Sequence, residues 1–179
     1  VLKKVDAVVA ATPYIRDKLS LINTNCVDIN NYPVLTDRFS ESKDYIDSSS
    51  VCYIGGLSYI RGIKEIVAGL QYCDKRISLI ICGNFESSEL ESEIRGMPSW
   101  DRVDYRGYLD QQGVREVLSR SFAGLVTLHP TSNYLDSLPV KMFEYMSAGL
   151  PIIASNFEYW KPIVQSPECG LLVDPSDPK

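Results

Sequence analysis

The sequence predicts an α/β protein with a Rossmann-like, doubly wound parallel sheet. Three observations predict it. Apolar runs at Val51–Gly55, Ile77–Cys82, Val103–Gly107, Ala123–Leu128, Pro151–Ala154 and Gly170–Val173 are mostly continuous rather than alternating, the pattern of strands covered on both faces. Helix-like segments lie between them. Strands alternating with helices imply right-handed βαβ units, and hence a parallel sheet that binds ligands at the carboxyl ends of its strands.

The elements follow in order. Val5–Ala11 reads as a strand, followed by Thr12 as a helix cap and Pro13 at the first helical position. Thr36–Ser50 is polar and rich in Ser and Asp, and reads as a linker. Arg61–Tyr72 places Ile63, Ile66, Val67 and Leu70 on one helical face. Ser87–Gly96 reads as a polar, exposed helix, and Gln111–Ser121 as a helix with Val114, Val117 and Leu118 inward. The run from Asp136 to Ser155 reads as loop, helix, Gly149-Leu150-Pro151 turn and buried strand.

Composition bounds the function. The chain has 179 residues, 45% of them hydrophobic, enough for one full domain plus an appendage. A net charge of −5 argues against nucleic acid or an anionic membrane surface as partner. No apolar run approaches the roughly 18 residues of a membrane span, and the start at Val1 lacks a signal-peptide pattern. A piece of a longer protein is expected. The five cysteines are odd in number and lack CxxC spacing, so they read as small buried residues in a reducing compartment. With a single histidine and no clustered ligands, no metal site is expected.

The chemistry concentrates in the last run. On its helix, Val140, Met142, Phe143, Tyr145 and Met146 are apolar or aromatic, while Lys141 and Glu144 share one face. Extending that stripe reaches Ser137 and Ala148. A mostly buried helix with one polar stripe lines a cleft. Pro139 suits the first helical turn, where its missing N–H is not needed. The free N–H groups beside Asp136, Ser137 and Leu138 then offer a phosphate site. Glu144 can hold a diol, or pair with Lys141 on a solvated face. Asp136 can contact a ligand, or cap the helix.

Two further turns stand at strand ends. Gly55-Gly56 permits close backbone approach to a ligand, with Arg61 five residues on to meet phosphate bidentately. Read alone, it is also an ordinary strand–helix turn with a surface arginine. Arg106-Gly107-Tyr108-Leu109 is either a ligand-facing turn or a glycine turn with a packed tyrosine. His129 ends a strand on the ligand-facing edge and reads as a polar strand end rather than a catalytic base.

The Asp136–Ser155 run resembles the nucleotide-sugar signature of retaining glycosyltransferases of family 4, which have the GT-B fold. That signature is an acid, seven intervening residues, a Glu, and then a small residue, Gly, Pro and an apolar strand. Asp136 stands where the family most often has Glu, and Glu144 stands in the expected place. The family's Gly-Arg-Leu turn is matched by Gly55-Gly56-Leu57, with glycine in place of Arg, while Arg61 stands where the family has Lys. The resemblance implies that Glu144 binds ribose and Asp136 contacts the transferred sugar. It implies that Arg61, aided by Lys141, meets the diphosphate, and that Gly107-Tyr108 meet the base through backbone.

It implies further that residues 1–35 end an N-terminal, acceptor-binding domain, 36–50 link, and 51–179 form the C-terminal donor domain, truncated at its end. The reaction implied is transfer of a sugar from a nucleoside-diphosphate sugar to an acceptor hydroxyl with retention. Bacterial surface polysaccharide or glycoconjugate synthesis is the expected setting, in the cytoplasm or at the inner face of the plasma membrane, with a glycan or lipid-linked acceptor. No cofactor and no metal are implied. The other readings are a nucleotide-sugar 2-epimerase on the same fold and a non-catalytic nucleotide-binding or interaction domain.

Overall fold

A computed structural model describes residues 1–33 and 49–179. Most of the expected linker therefore lies outside the described residues, and its last residue, Ser50, already belongs to a strand. The first described stretch holds β1 (Val8–Ala10), α1 (Pro13–Ser20) and β2 (Cys26–Asp28), with the two strands parallel. Thr12 caps α1 by accepting the Ile15 N–H at 3.2 Å, with Pro13 in the first turn, as expected.

The second stretch is β3 (Ser50–Ile54), α2 (Ile63–Gly69), β4 (Ser78–Cys82), α3 (Ser88–Arg95), β5 (Val103–Gly107), α4 (Gln111–Arg120), β6 (Ala123–Val126), α5 (Val140–Ser147), β7 (Ile152–Ser155), α6 (Lys161–Val164) and β8 (Gly170–Val173). Its six strands form one sheet in the order β5-β4-β3-β6-β7-β8, every ladder parallel. The order reverses between β3 and β6. A doubly wound sheet opens its crevice at such a reversal.

Successive residues of a strand face opposite sides, and the apolar runs serve both sides. Val51 and Tyr53 join Ile63, Val67, Leu79 and Leu90 in one buried cluster. Cys52 joins Val126, Met142, Tyr145, Ile152 and Trp160 in the other. Each fully buried side chain of that size contributes on the order of 1.5–3 kcal/mol.

Several expectations need correction. The helix expected over Arg61–Tyr72 is shorter, because Gly62 sits in the left-handed region at φ 71°; Tyr59–Arg61 forms a separate 3-10 turn before it. α3 is not simply exposed: Leu90 and Ile94, four residues apart, are fully buried. Pro139 is the residue before α5 rather than its first-turn residue. Cys73 is exposed, unlike the buried Cys52 and Cys82. The strand β2 was not expected at all, since three residues are too few to establish a period.

Candidate functional site

At the carboxyl edge where β3 and β6 adjoin stand the turn after β3, the loop from β6 to α5, and α5 itself. Three glycine turns stack along the β3–β4–β5 side of that edge. Gly55 and Gly83 have φ of 143° and 138°, and Gly107 has φ of 62°. The Gly83 N–H donates to the Gly107 carbonyl at 2.7 Å, and the Gly55 N–H donates to the Cys82 carbonyl at 2.8 Å. A Cβ on Gly83 would run into the Gly55 carbonyl. Beside Gly107 the space is open, and Tyr108 is 79% exposed. Side chains are thus excluded where the backbone must come close.

Two cations converge on the first of these turns. A Cβ on Gly55 would meet the Lys141 ammonium from α5, and would lie 3.4 Å from Nη1 of Arg61. Arg61 sits on the 3-10 turn rather than at the start of α2. Burial works against its charged form, but the Tyr134 and Tyr53 hydroxyls beside it more than offset this and hold it firmly cationic. The Tyr53 hydroxyl donates to the Gly56 carbonyl at 2.9 Å. Burial pushes this phenol up to about 12, against the pull of the Arg61 charge.

The Lys141 ammonium is buried and has no hydrogen-bond partner among the described residues; it lies 4.5 Å from the centre of the Tyr53 ring. Burial first, and then the Arg61 charge, bring its pKa down to about 8, with Glu144 acting the other way. A buried charge without a hydrogen bond is costly. Two cations facing one glycine turn form a place that an anion would satisfy. The solvated ion pair between Lys141 and Glu144 that their spacing allows does not provide that partner.

The remaining predicted residues fall into two groups. Glu144 lies one turn beyond Lys141, half-buried on the same side of α5. Asp136, Ser137, Leu138 and Pro139 lie on the loop before α5. Asp136 does not cap the helix; its carboxylate is 3.5 Å from the Lys18 ammonium on α1. Ser137 is pinned, its carbonyl accepting the Trp160 indole N–H at 2.8 Å and its hydroxyl donating to the Tyr134 carbonyl at 3.1 Å. Leu138 lines a small hollow of about 180 Å³ with Thr12, Asn31, Tyr32 and Phe143. Lys141 and Arg61 thus gather at Gly55, while Asp136 stands beside Lys18 of α1. His129 is directed to Glu65, its Nε2 lying 3.2 Å from that carboxylate.

Sequence reasoning missed Tyr53, Gly83 and Tyr134. A tyrosine inside an apolar run reads as core, and a glycine after a strand reads as a turn, so neither carried a distinguishing signal. Size does not mark the site either. A hollow of about 460 Å³ lies near the amino ends of β3 and β4, and an apolar one of about 310 Å³ lies between α2 and the last residues. No helix is long and apolar enough to cross a membrane, and no group of metal ligands occurs among the described residues.

Solved structures similar to this fold include three that share it closely. Alr3699/HepE of Anabaena, in complex with UDP and glucose, superposes with a TM-score of 0.71 at 16% identity, covering 96% of this chain and 50% of its own. Sucrose-phosphate synthase from Thermosynechococcus elongatus gives a TM-score of 0.76 at 22% identity, with 99% and 47% covered. A mutant of TarM from S. aureus, in complex with Fondaparinux, alpha-GlcNAc-glycerol and UDP, gives 0.75 at 14% identity, with 99% and 35% covered. This chain therefore spans about half the length of the first two proteins. No curated protein sequence matches it. Its sheet and helices are those of the C-terminal half of a GT-B glycosyltransferase. The profile described as Glycosyl transferases group 1 matches residues 48–179, and by that match the chain belongs to this glycosyltransferase family.

Proposed function

We propose that this chain binds the nucleoside-diphosphate sugar of a retaining glycosyltransferase, and that the whole enzyme transfers the sugar to an acceptor hydroxyl. The observation that carries the reading is the unpartnered Lys141 ammonium beside Arg61, both facing the Gly55 turn at the sheet reversal. Family membership and the UDP bound in HepE and TarM support it. Arg61 and Lys141 would hold the diphosphate and gather its charge as it departs, so electrostatic stabilisation needs no metal ion. Glu144 would accept two hydrogen bonds from the ribose diol. The backbone at Gly107 and Tyr108 would meet the base. Asp136, with Ser137, Leu138 and Pro139, would face the transferred sugar.

Bacterial surface polysaccharide or glycoconjugate synthesis in the cytoplasm, with a glycan or lipid-linked acceptor, is the setting we propose. Calorimetry with UDP-, GDP- and ADP-sugars tests the donor reading on residues 1–179. Binding of one of these donors is expected, and binding of none would refute it. The anomeric configuration of product made by the full-length enzyme tests retention. Release of a free isomerised sugar would replace transfer by 2-epimerase chemistry.

A further inference from the structure

Tyr145 is 1% exposed and lies one turn beyond Lys141 on α5. Its environment is set by how β3 and β6 part. The Phe122 N–H donates to the Ser50 carbonyl on the β6 side, while the Gly55 N–H donates to Cys82 on the β4 side. Residues of a strand alternate in the neighbour they address, so the Ile54 N–H faces β6. The β3–β6 register ends at Cys52 and Gly124. Beyond that point the Ile54 N–H has no ladder partner. The Tyr145 hydroxyl accepts it at 2.9 Å. Gly124 makes this reach feasible, because a Cβ there would run into the Tyr145 ring.

We infer that Tyr145 is a positioning residue of the donor site: its hydroxyl ties the last residue of β3 to α5, and so holds the Gly55 turn at the reach of the Lys141 ammonium. The inference rests on the donor reading above. It stands on three separate facts: the hydrogen bond, the ended register and the space kept by Gly124. A buried tyrosine kept only for its bulk would need the space at Gly124 but neither the hydrogen bond nor the ended register. Its hydroxyl would be replaceable by hydrogen at little cost to ligand binding.

The test compares the chain with Tyr145→Phe, which keeps the ring. Calorimetry with UDP, GDP and ADP, and with uridine, guanosine and adenosine, reads the diphosphate end separately from the nucleoside end. Affinity for the preferred diphosphate is expected to fall about five- to tenfold, with nucleoside affinity within about twofold of the original. Unchanged diphosphate affinity, or equal loss for nucleoside and diphosphate, would overturn the positioning role while leaving the donor reading intact. No binding of any diphosphate by the unaltered chain would remove both. Amide hydrogen exchange supplies a second measurement that does not depend on the variant folding. The Ile54 amide is expected to exchange slowly in the unaltered chain, and rapid exchange there would overturn the inference.

Discussion

At Lys141, burial and the Arg61 charge both disfavour the ammonium, and its pKa falls to about 8 from the ordinary 10.5. Between those values the unfolded chain holds a proton that the folded chain has released. The contribution of Lys141 to stability therefore rises with pH across that window, and the cost of the buried charge is fully present below about pH 8. Ligand binding has the opposite sign. A bound diphosphate favours the ammonium, so binding above pH 8 takes up a proton. UDP or GDP affinity, whichever the chain prefers, is expected to fall roughly tenfold between pH 7.5 and 9.5. In Lys141→Met it should be weaker and flat over the same range. Calorimetry in buffers of different ionisation enthalpy would detect the proton directly, and a flat profile in the unaltered chain would remove Lys141 from the site. Arg61 and Glu144 should differ in kind. Arg61→Ala is expected to weaken diphosphates by about 1.5–3 kcal/mol and leave nucleosides little changed. Glu144→Gln should weaken both alike by about 1–3 kcal/mol, since both carry the ribose. Titrations of nucleoside against diphosphate separate these outcomes.

Among the elements, the stacked turns after β3, β4 and β5 are where the proposed donor would meet the backbone. Gly83→Ala would place a Cβ against the Gly55 carbonyl at φ 138°. A loss of about 1–3 kcal/mol of stability is expected in denaturant melts, together with weaker diphosphate binding. A melt within about 0.5 kcal/mol of the original would show that the turn yields freely. Much of this level was legible in the sequence. All six strands of the large sheet lie where the apolar runs placed them: burial on both faces keeps charged residues out of the inner strands, while the edge strand β5 carries Asp104 and Arg106 between its apolar residues. The α5 helix and its polar stripe were legible for the converse reason. α3 was misread because its polar residues outnumber Leu90 and Ile94, though two inward side chains suffice to seat eight residues. The surroundings of Lys141 and Tyr145 were not legible: one lacks a hydrogen-bond partner among the described residues and the other reaches β3 from α5, and both facts depend on how distant segments meet. Asp136 was placed on the right loop, but its proximity to Lys18 joins residues far apart in the chain.

For the molecule as a whole, the proposed reading puts the donor-facing features in residues 51–179 and makes residues 1–35 the end of an acceptor-binding domain. The six-stranded sheet, with helices and two buried clusters, is sufficient for a cooperative unit. Residues 1–179 are therefore expected to fold and to be stabilised by donor, yet to form no product from labelled donor and glycan or lipid acceptors, since orientation of the acceptor supplies much of the rate. Robust turnover would place the acceptor site within this chain. The contact between Gly55 and Lys141 also has an evolutionary consequence. A Cβ at position 55 would displace the ammonium at the flexible end of Lys141, and the φ of 143° there already disfavours a side chain, so a side chain gained at 55 should be rare and accompanied by change at 141. In an alignment of close homologues, any lineage that gains a side chain at position 55 should have exchanged its lysine at 141 for a shorter residue, and should have recruited a cation at position 56.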